Sequence, residues 1–278
     1  MRQATRKQMR YFVTLSYDGT HYHGWQVQPN ASTVQGQLQH ALALLLGTPT
    51  EVTGAGRTDT GVHARMMVAH FDHDATDLDC TQLAYKLNRL LPRDIAVQHV
   101  RPVPPAMHAR FSAIARTYYY YVHTHKDPFL RHHSYELHYD LDFSLMNQAA
   151  ALLLQHDDFG AFCKSHADVK TTLCHVTQAQ WHQTAPGQWR FDITANRFLR
   201  NMVRAVVGTL IEVGRHRMTI DAFRRVLLGG RRTEAGESVP AHALFLVDIV
   251  YPQPDSPPTL PLHPSPLTLH PSPFTLHP

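Results

Sequence analysis

One pattern, occurring twice, constrains this chain more than any other feature. Tyr11, Val13, Leu15 and Tyr17 recur at every second position and stop at Asp18-Gly19, the spacing of a strand that ends in a turn. Ser32 followed by Gln35 fits a capping box, and Val34, Leu38, Ala41, Leu42 and Leu45 line one face of a helix that Gly47 closes. A short strand over 50–53, a loop, and a strand over 66–71 come next. A helix over 81–91 stopped by Pro92 and a strand over 95–100 complete the first run. After a Pro-rich link at 102–105 the content recurs: a strand over 117–122, a helix over 144–154, and strands over 172–181 and 189–195 paired around Pro186-Gly187. Helices over 197–213 and 220–228 and a strand over 244–250 close the second run. Two such runs predict an α+β chain of two related halves, 10–105 and 106–251. Each is a split βαβ sheet backed by helices, with a cleft where they meet.

Composition narrows the setting. With 278 residues, 43% hydrophobic and 17% charged, the chain can bury a sizeable core and reads as a soluble globular protein. No apolar stretch approaches the roughly 20 residues that cross a bilayer. The basic extension at 1–9 leads into no apolar segment, so a signal peptide is not expected. Cys80, Cys163 and Cys174 are odd in number and form no CxxC pair, which suits reduced thiols in a cytoplasm. Between Arg190 and Val250 lie ten arginines, no lysine and six acids. Arginine pairs with phosphate through its planar fork, so this stretch reads either as a phosphate surface or as a solvated helical face. From 252 to 278 the chain turns to LHPSP repeats rich in proline, the composition of a disordered tail.

Residues 54–65, GAGRTDTGVHAR, hold a single carboxylate, Asp59, among glycine, threonine and arginine. Asp59-Thr60-Gly61 spells the triplet of aspartic proteases, but those enzymes need two such carboxylates and the triplet occurs once here. The helices expected on both sides also disagree with a lobe that is nearly all β. The 22 histidines are dispersed, no HExxH occurs, and His132-His133 are adjacent rather than spaced for one ion, so no metal site is expected. His63, inside the motif, is expected to shape the loop.

A longer match is far more specific. YDGTHYHGWQVQPNASTVQGQL (17–38), GAGRTDTGVHA (54–64), LNRLLPRDIAV (87–97), HARFSAIARTYYY (108–120), DFGAF (158–162), FLRNMVRAVVG (198–208) and ALFLVDIVY (243–251) occur in order at suitable separations. Over nearly all of 10–251 the chain resembles the tRNA pseudouridine synthase A family. The resemblance implies a pseudouridine synthase fold: two ferredoxin-like halves whose sheets join into one central antiparallel sheet backed by helices, with a catalytic cleft across the junction. It also implies a cytoplasmic homodimer acting on uridines 38, 39 and 40 of the tRNA anticodon stem-loop. The chain departs from the family pattern at three places. Ala243 stands where relatives carry glycine, Cys174 where many carry arginine, and the Pro-rich tail has no counterpart.

Making pseudouridine breaks the bond from ribose C1′ to uracil N1, turns the base and joins C1′ to C5. Nothing is oxidised or added, so no cofactor and no metal is expected. By resemblance Asp59 is the nucleophile, attacking C1′ or C6 or initiating a glycal route; the residues alone also allow a turn aspartate capping its own loop. Arg204 matches the arginine that pairs with this aspartate, against the alternative of a structural ion pair. A helix over 197–213 puts Arg197, Arg200 and Arg204 on one face, opposite Met202, Val206 and Leu210. In the run Tyr118 to Tyr121, alternation allows either the pair 118/120 or 119/121 to line the cleft. The family register selects Tyr118, which stacks on the uracil. Arg57 matches the residue that follows the departing base, with a phosphate clamp as its alternative. Leu244 matches an apolar wall for the uracil. The reading from another class is a non-catalytic tRNA-binding or chaperone protein of the same fold.

Overall fold

A computed structural model describes residues 8–74, 78–164, 170–229 and 231–252. Most of the proposed tail, nearly all of the basic extension, and residues 75–77, 165–169 and 230 lie outside the described residues. The elements follow the order β1 (Met9–Tyr17), α1 (Val34–Leu46), β2 (Thr53–Gly54), β3 (His63–His73), α2 (Cys80–Leu90), β4 (Ile95–Val103), β5 (Ala115–His123) and β6 (Tyr135–Glu136). Then come α3 (Phe143–Leu152), β7 (Val176–Ala185), β8 (Gln188–Ala195), α4 (Met202–Gly214), α5 (Ile220–Leu227) and β9 (Leu244–Val250).

All nine strands form one sheet, with the path β4-β1-β3-β9-β5-β8-β7, β2 pairing with β3 and β6 with β5. On the first side the order β4-β1-β3-β2 is that of a split βαβ pair, and β9-β5-β8-β7 repeats it. Neighbours along the path are antiparallel except at the join, where β3 and β9 run parallel at His63↔Phe245 and Ala64↔Leu246. The same edge of β3 carries β2 further along, at Ala69 and His70. Two partners therefore share one edge, and residues 55–62 fill the place where one gives way to the other.

Each side has its own apolar core, and the cores exchange residues across the join. Val62 is buried among the second-side residues, whereas Leu246 and Ile249 of β9 are buried in the first core. Among the partly buried hydrophobics of the described residues, Tyr118 is the one packed against both cores. The join is thus held by burial as well as by strand pairing.

The expected strand over 50–53 is found at Thr53–Gly54, that over 172–181 at Val176–Ala185, and β4 runs on to Val103 into the Pro-rich link; three further differences bear on the sheet and the site. The cap of α1 is Thr33, whose Oγ1 accepts from Gly36 N; Gln35 instead donates to Val52 O at 2.6 Å and accepts from Val27 N at 2.9 Å, tying the preceding loop to the sheet. Strand β1 is buried on both faces rather than one. Phe12, which should face solvent, is covered by Tyr251, with ring centroids 5.1 Å apart, and Tyr251 in turn donates to Ala109 O of the crossover between the halves. Helix α4 begins at Met202 and not at 197, because Asn201 has φ 67°, a left-handed conformation that a right-handed helix cannot contain. Arg197 and Arg200 therefore lie on the segment before α4 and do not share a helical face with Arg204.

Candidate active site

The loop that carries Asp59 is shaped from below. Gly24 has φ 85°, and a Cβ there would collide with the carbonyl of Thr58, so only glycine brings the 19–25 segment this close. The approach lets Trp25 N donate to Thr58 O at 3.2 Å and Gly61 N donate to Tyr22 O at 3.3 Å. Within the loop Val62 N donates to Asp59 O at 3.1 Å, and Tyr17 Oη lies 2.8 Å from Thr58 Oγ1 in the buried interior. With both neighbours of the turn fixed, Asp59 is presented on a rigid support.

His63 braces the same loop. Its Nε2 lies 2.9 Å from His242 O and 3.1 Å from His132 O, so that nitrogen carries the proton. Nδ1 then accepts from Gly19 N at 3.0 Å. Burial lowers the His63 pKa, outweighing the pull of Asp18, which favours this neutral form. Asp18 and His133 stand close enough to His63 to suggest a shared ion. The Nδ1 lone pair is already taken by Gly19, however, and Asp18 accepts instead from Thr20 N and His133 Nε2, both at 2.9 Å.

Arg204 comes to Asp59 from the other side of the join. On the first turn of α4, its Nη1 lies 3.4 Å from Asp59 Oδ2, and its Nε donates to Val239 O at 2.7 Å. Val239 N returns a bond to Arg204 O at 3.3 Å. The 236–239 segment reaches this position because Gly208 has no side chain; a Cβ there would overlap the carbonyl of Glu237. Arg204 is therefore aimed by its own backbone neighbour before it meets the carboxylate.

Tyr118 stands on β5 at the join, its ring edge-on to Phe198 with centroids 5.1 Å apart. Burial pushes its pKa up to about 12; Arg116 opposes this and Asp59 adds to it, so all three share one electrostatic neighbourhood. Tyr120, on the same face, is fully buried and donates to Pro240 O at 3.0 Å. Tyr119 packs beneath Arg190 on the opposite face, with the guanidinium 4.0 Å from the ring centroid. The structure thus separates the four tyrosines that alternation left paired.

The remaining expected residues are less closely gathered. Arg57 is exposed on the loop, and no hydrogen bond or ion pair holds its guanidinium among the described residues. Leu244 opens β9 opposite Tyr120 and is buried in the second core. Ala243, in the 3₁₀ turn before β9, is fully buried with no positive φ, so alanine fits without strain. Cys174 is buried in the second core, and burial pushes its thiol up to about 11. Sequence reasoning passed over Tyr17, Thr58 and Arg116. All three lie inside matched segments, 17–38, 54–64 and 108–120, and period-two alternation from Tyr118 was a further signal for Arg116.

The family model for tRNA pseudouridine synthase matches residues 14–112 and 149–252. A tRNA pseudouridine synthase A of Bacteroides fragilis is 55% identical over 244 residues, 88% of this chain and 97% of that protein. That of Porphyromonas gingivalis is 50% identical over 87% of this chain and 97% of that protein, and that of Bacillus subtilis 39% identical over 87% and 99%. On the family model and on this identity over nearly full lengths, the chain belongs to the tRNA pseudouridine synthase A family.

Proposed function

We propose that the protein isomerises uridine to pseudouridine at positions 38, 39 and 40 of the tRNA anticodon stem-loop, with Asp59 as nucleophile. The observation that carries this reading is the meeting of Asp59 with Arg204 beside Tyr118, from three separate segments, at the join of the two halves. A turn aspartate needs no such partner.

The chemistry follows from these positions. Asp59 bonds to ribose C1′ as the C1′–N1 bond breaks and the uracil anion leaves, or adds to uracil C6 across the C5=C6 double bond, or initiates a glycal route. In each case C5 then joins C1′, the carboxylate is released and the C5 hydrogen is lost as a proton, so that one difficult exchange is divided into easier steps. Arg204 holds the carboxylate in place and offsets its charge. Tyr118 stays protonated at neutral pH, so its ring stacks on the uracil and its hydroxyl acts as a hydrogen-bond partner rather than a resting base. Leu244 contributes apolar surface beneath the base. The target uridine must leave its stack, at a cost of a few kcal/mol, and Arg57 is exposed where it can fill the vacated place.

Recognition rests on tRNA shape and phosphates, since A-form RNA offers side chains little access to base edges. Arg57, Arg110 and Arg200 are exposed and suited to phosphate. The protein works as a homodimer in the cytoplasm, and no described helix is long and apolar enough to cross a membrane. Pseudouridine mapping on tRNA incubated with the pure protein, without added metal, tests the reading. Modification at 38–40 is the expected result; unmodified tRNA despite binding would overturn it.

A further inference from the structure

Arg116 lies two residues before Tyr118 on the same face of β5 and spreads its guanidinium over four backbone carbonyls. Nη1 donates to Ala113 O at 3.2 Å and Asn196 O at 2.8 Å; Nη2 donates to Ala55 O at 3.0 Å and Arg110 O at 2.6 Å. These acceptors come from different parts of the chain. Ala55 begins the loop that carries Asp59, and Arg110 and Ala113 belong to the crossover between the halves. Asn196 directly follows β8 and lies two residues before Phe198, whose ring meets that of Tyr118 edge-on. No carboxylate pairs with Arg116 among the described residues; the charged and titratable groups around it are Tyr118, Tyr251, Arg110 and Arg197.

A partly buried cation without an acid is costly unless its donors are used, and here the carbonyl dipoles use four of them. The planar fork explains the residue choice, because an ammonium is a point charge and cannot face two pairs of carbonyls on separate nitrogens. We propose that Arg116 is a positioning residue of the catalytic site. It locks the Asp59 loop of the first half to the strand bearing Tyr118 and to the segment leading into Arg204. The inference rests on the reading of Asp59 as nucleophile and adds the device that holds the reacting groups in register across the join.

A misplacement of about 1 Å at a reacting centre costs about 100-fold in rate. Arg116→Lys and Arg116→Gln are therefore expected to lose about 100-fold in single-turnover rate at saturating tRNA, with tRNA affinity unchanged. In Arg116→Ala, guanidinium chloride at low millimolar concentration restores part of the rate and ammonium chloride does not. Normal turnover in Arg116→Lys would overturn the proposal. So would a parallel fall of turnover, affinity and melting temperature in both variants, or equal rescue by the two salts. Asp59→Asn is run beside them: if it keeps its turnover, the nucleophile reading fails by itself, whatever Arg116 does.

Discussion

Replacing Arg204 by Met keeps most of the stem and removes the guanidinium. Two interactions go: the bond to Val239 O, and the contact of Nη1 with Asp59 Oδ2 at 3.4 Å. Unit charges 3.4 Å apart attract by about 5 kcal/mol at an effective dielectric near 20. The pair is open to water, since the arginine and aspartate side chains keep 21% and 31% of their exposure. Screening and desolvation then offset more than half of the attraction, leaving about 2 kcal/mol. Acting in the transition state, that is about 30-fold in rate. Lysine should recover part of the loss, because one ammonium cannot serve both Val239 and Asp59. The assay is single-turnover release of tritium from tRNA whose uridines carry it at C5, since forming the new bond displaces that hydrogen. A normal rate in Arg204→Met, or a loss confined to tRNA affinity, would refute the reasoning and make Arg204 a phosphate contact.

Tyr118→Phe keeps the stacking ring and removes the hydroxyl, so tRNA affinity should hold while turnover falls, whereas Tyr118→Leu should harm both; equal turnover in Phe and wild type would leave the tyrosine as a platform alone. Gly24→Ala forces a left-handed backbone on alanine and drives Cβ into the Thr58 carbonyl, costing about 2–3 kcal/mol of stability by thermal melting. For Asp18, burial would raise the carboxyl, but hydrogen bonds from Thr20 and His133 outweigh it and hold the pKa well below the usual range. That stability is complete above the unfolded value of about 4 and is lost as pH falls through the folded one. The melting-temperature gap between wild type and Asp18→Asn should therefore be constant above about pH 5 and narrow below about pH 4; a gap that widens in acid would contradict the assignment.

The architecture was legible because period-two and helical spacing are local. Val34, Leu38, Ala41 and Leu42 are buried on α1 as their spacing requires, and Gly47 closes the helix with φ 71°. What the spacing could not carry was long-range. Nothing near Phe12 announces that Tyr251, more than two hundred positions later, covers it. The arginine series 197, 200, 204 has helical spacing, but the left-handed Asn201 makes α4 begin after the second member and before the third. Asp18, His63 and His133 are far apart in the chain, and their convergence arises from the fold alone. At the candidate site, Asp59, Tyr118 and Arg204 were named by motif resemblance, and the structure brings them together. Arg116 lies in the matched segment 108–120 but received no role, because its meaning lies partly in carbonyls 61 and 80 positions away.

The most direct test of the account is Asp59→Asn, measured for turnover and tRNA affinity in the same preparation. The amide has the shape of the carboxylate but is a poor nucleophile. No tritium release from C5-labelled tRNA is expected, with binding and melting temperature close to wild type. Turnover within about tenfold of wild type, roughly 1.4 kcal/mol of barrier, would contradict it and return Asp59 to the role of a turn residue.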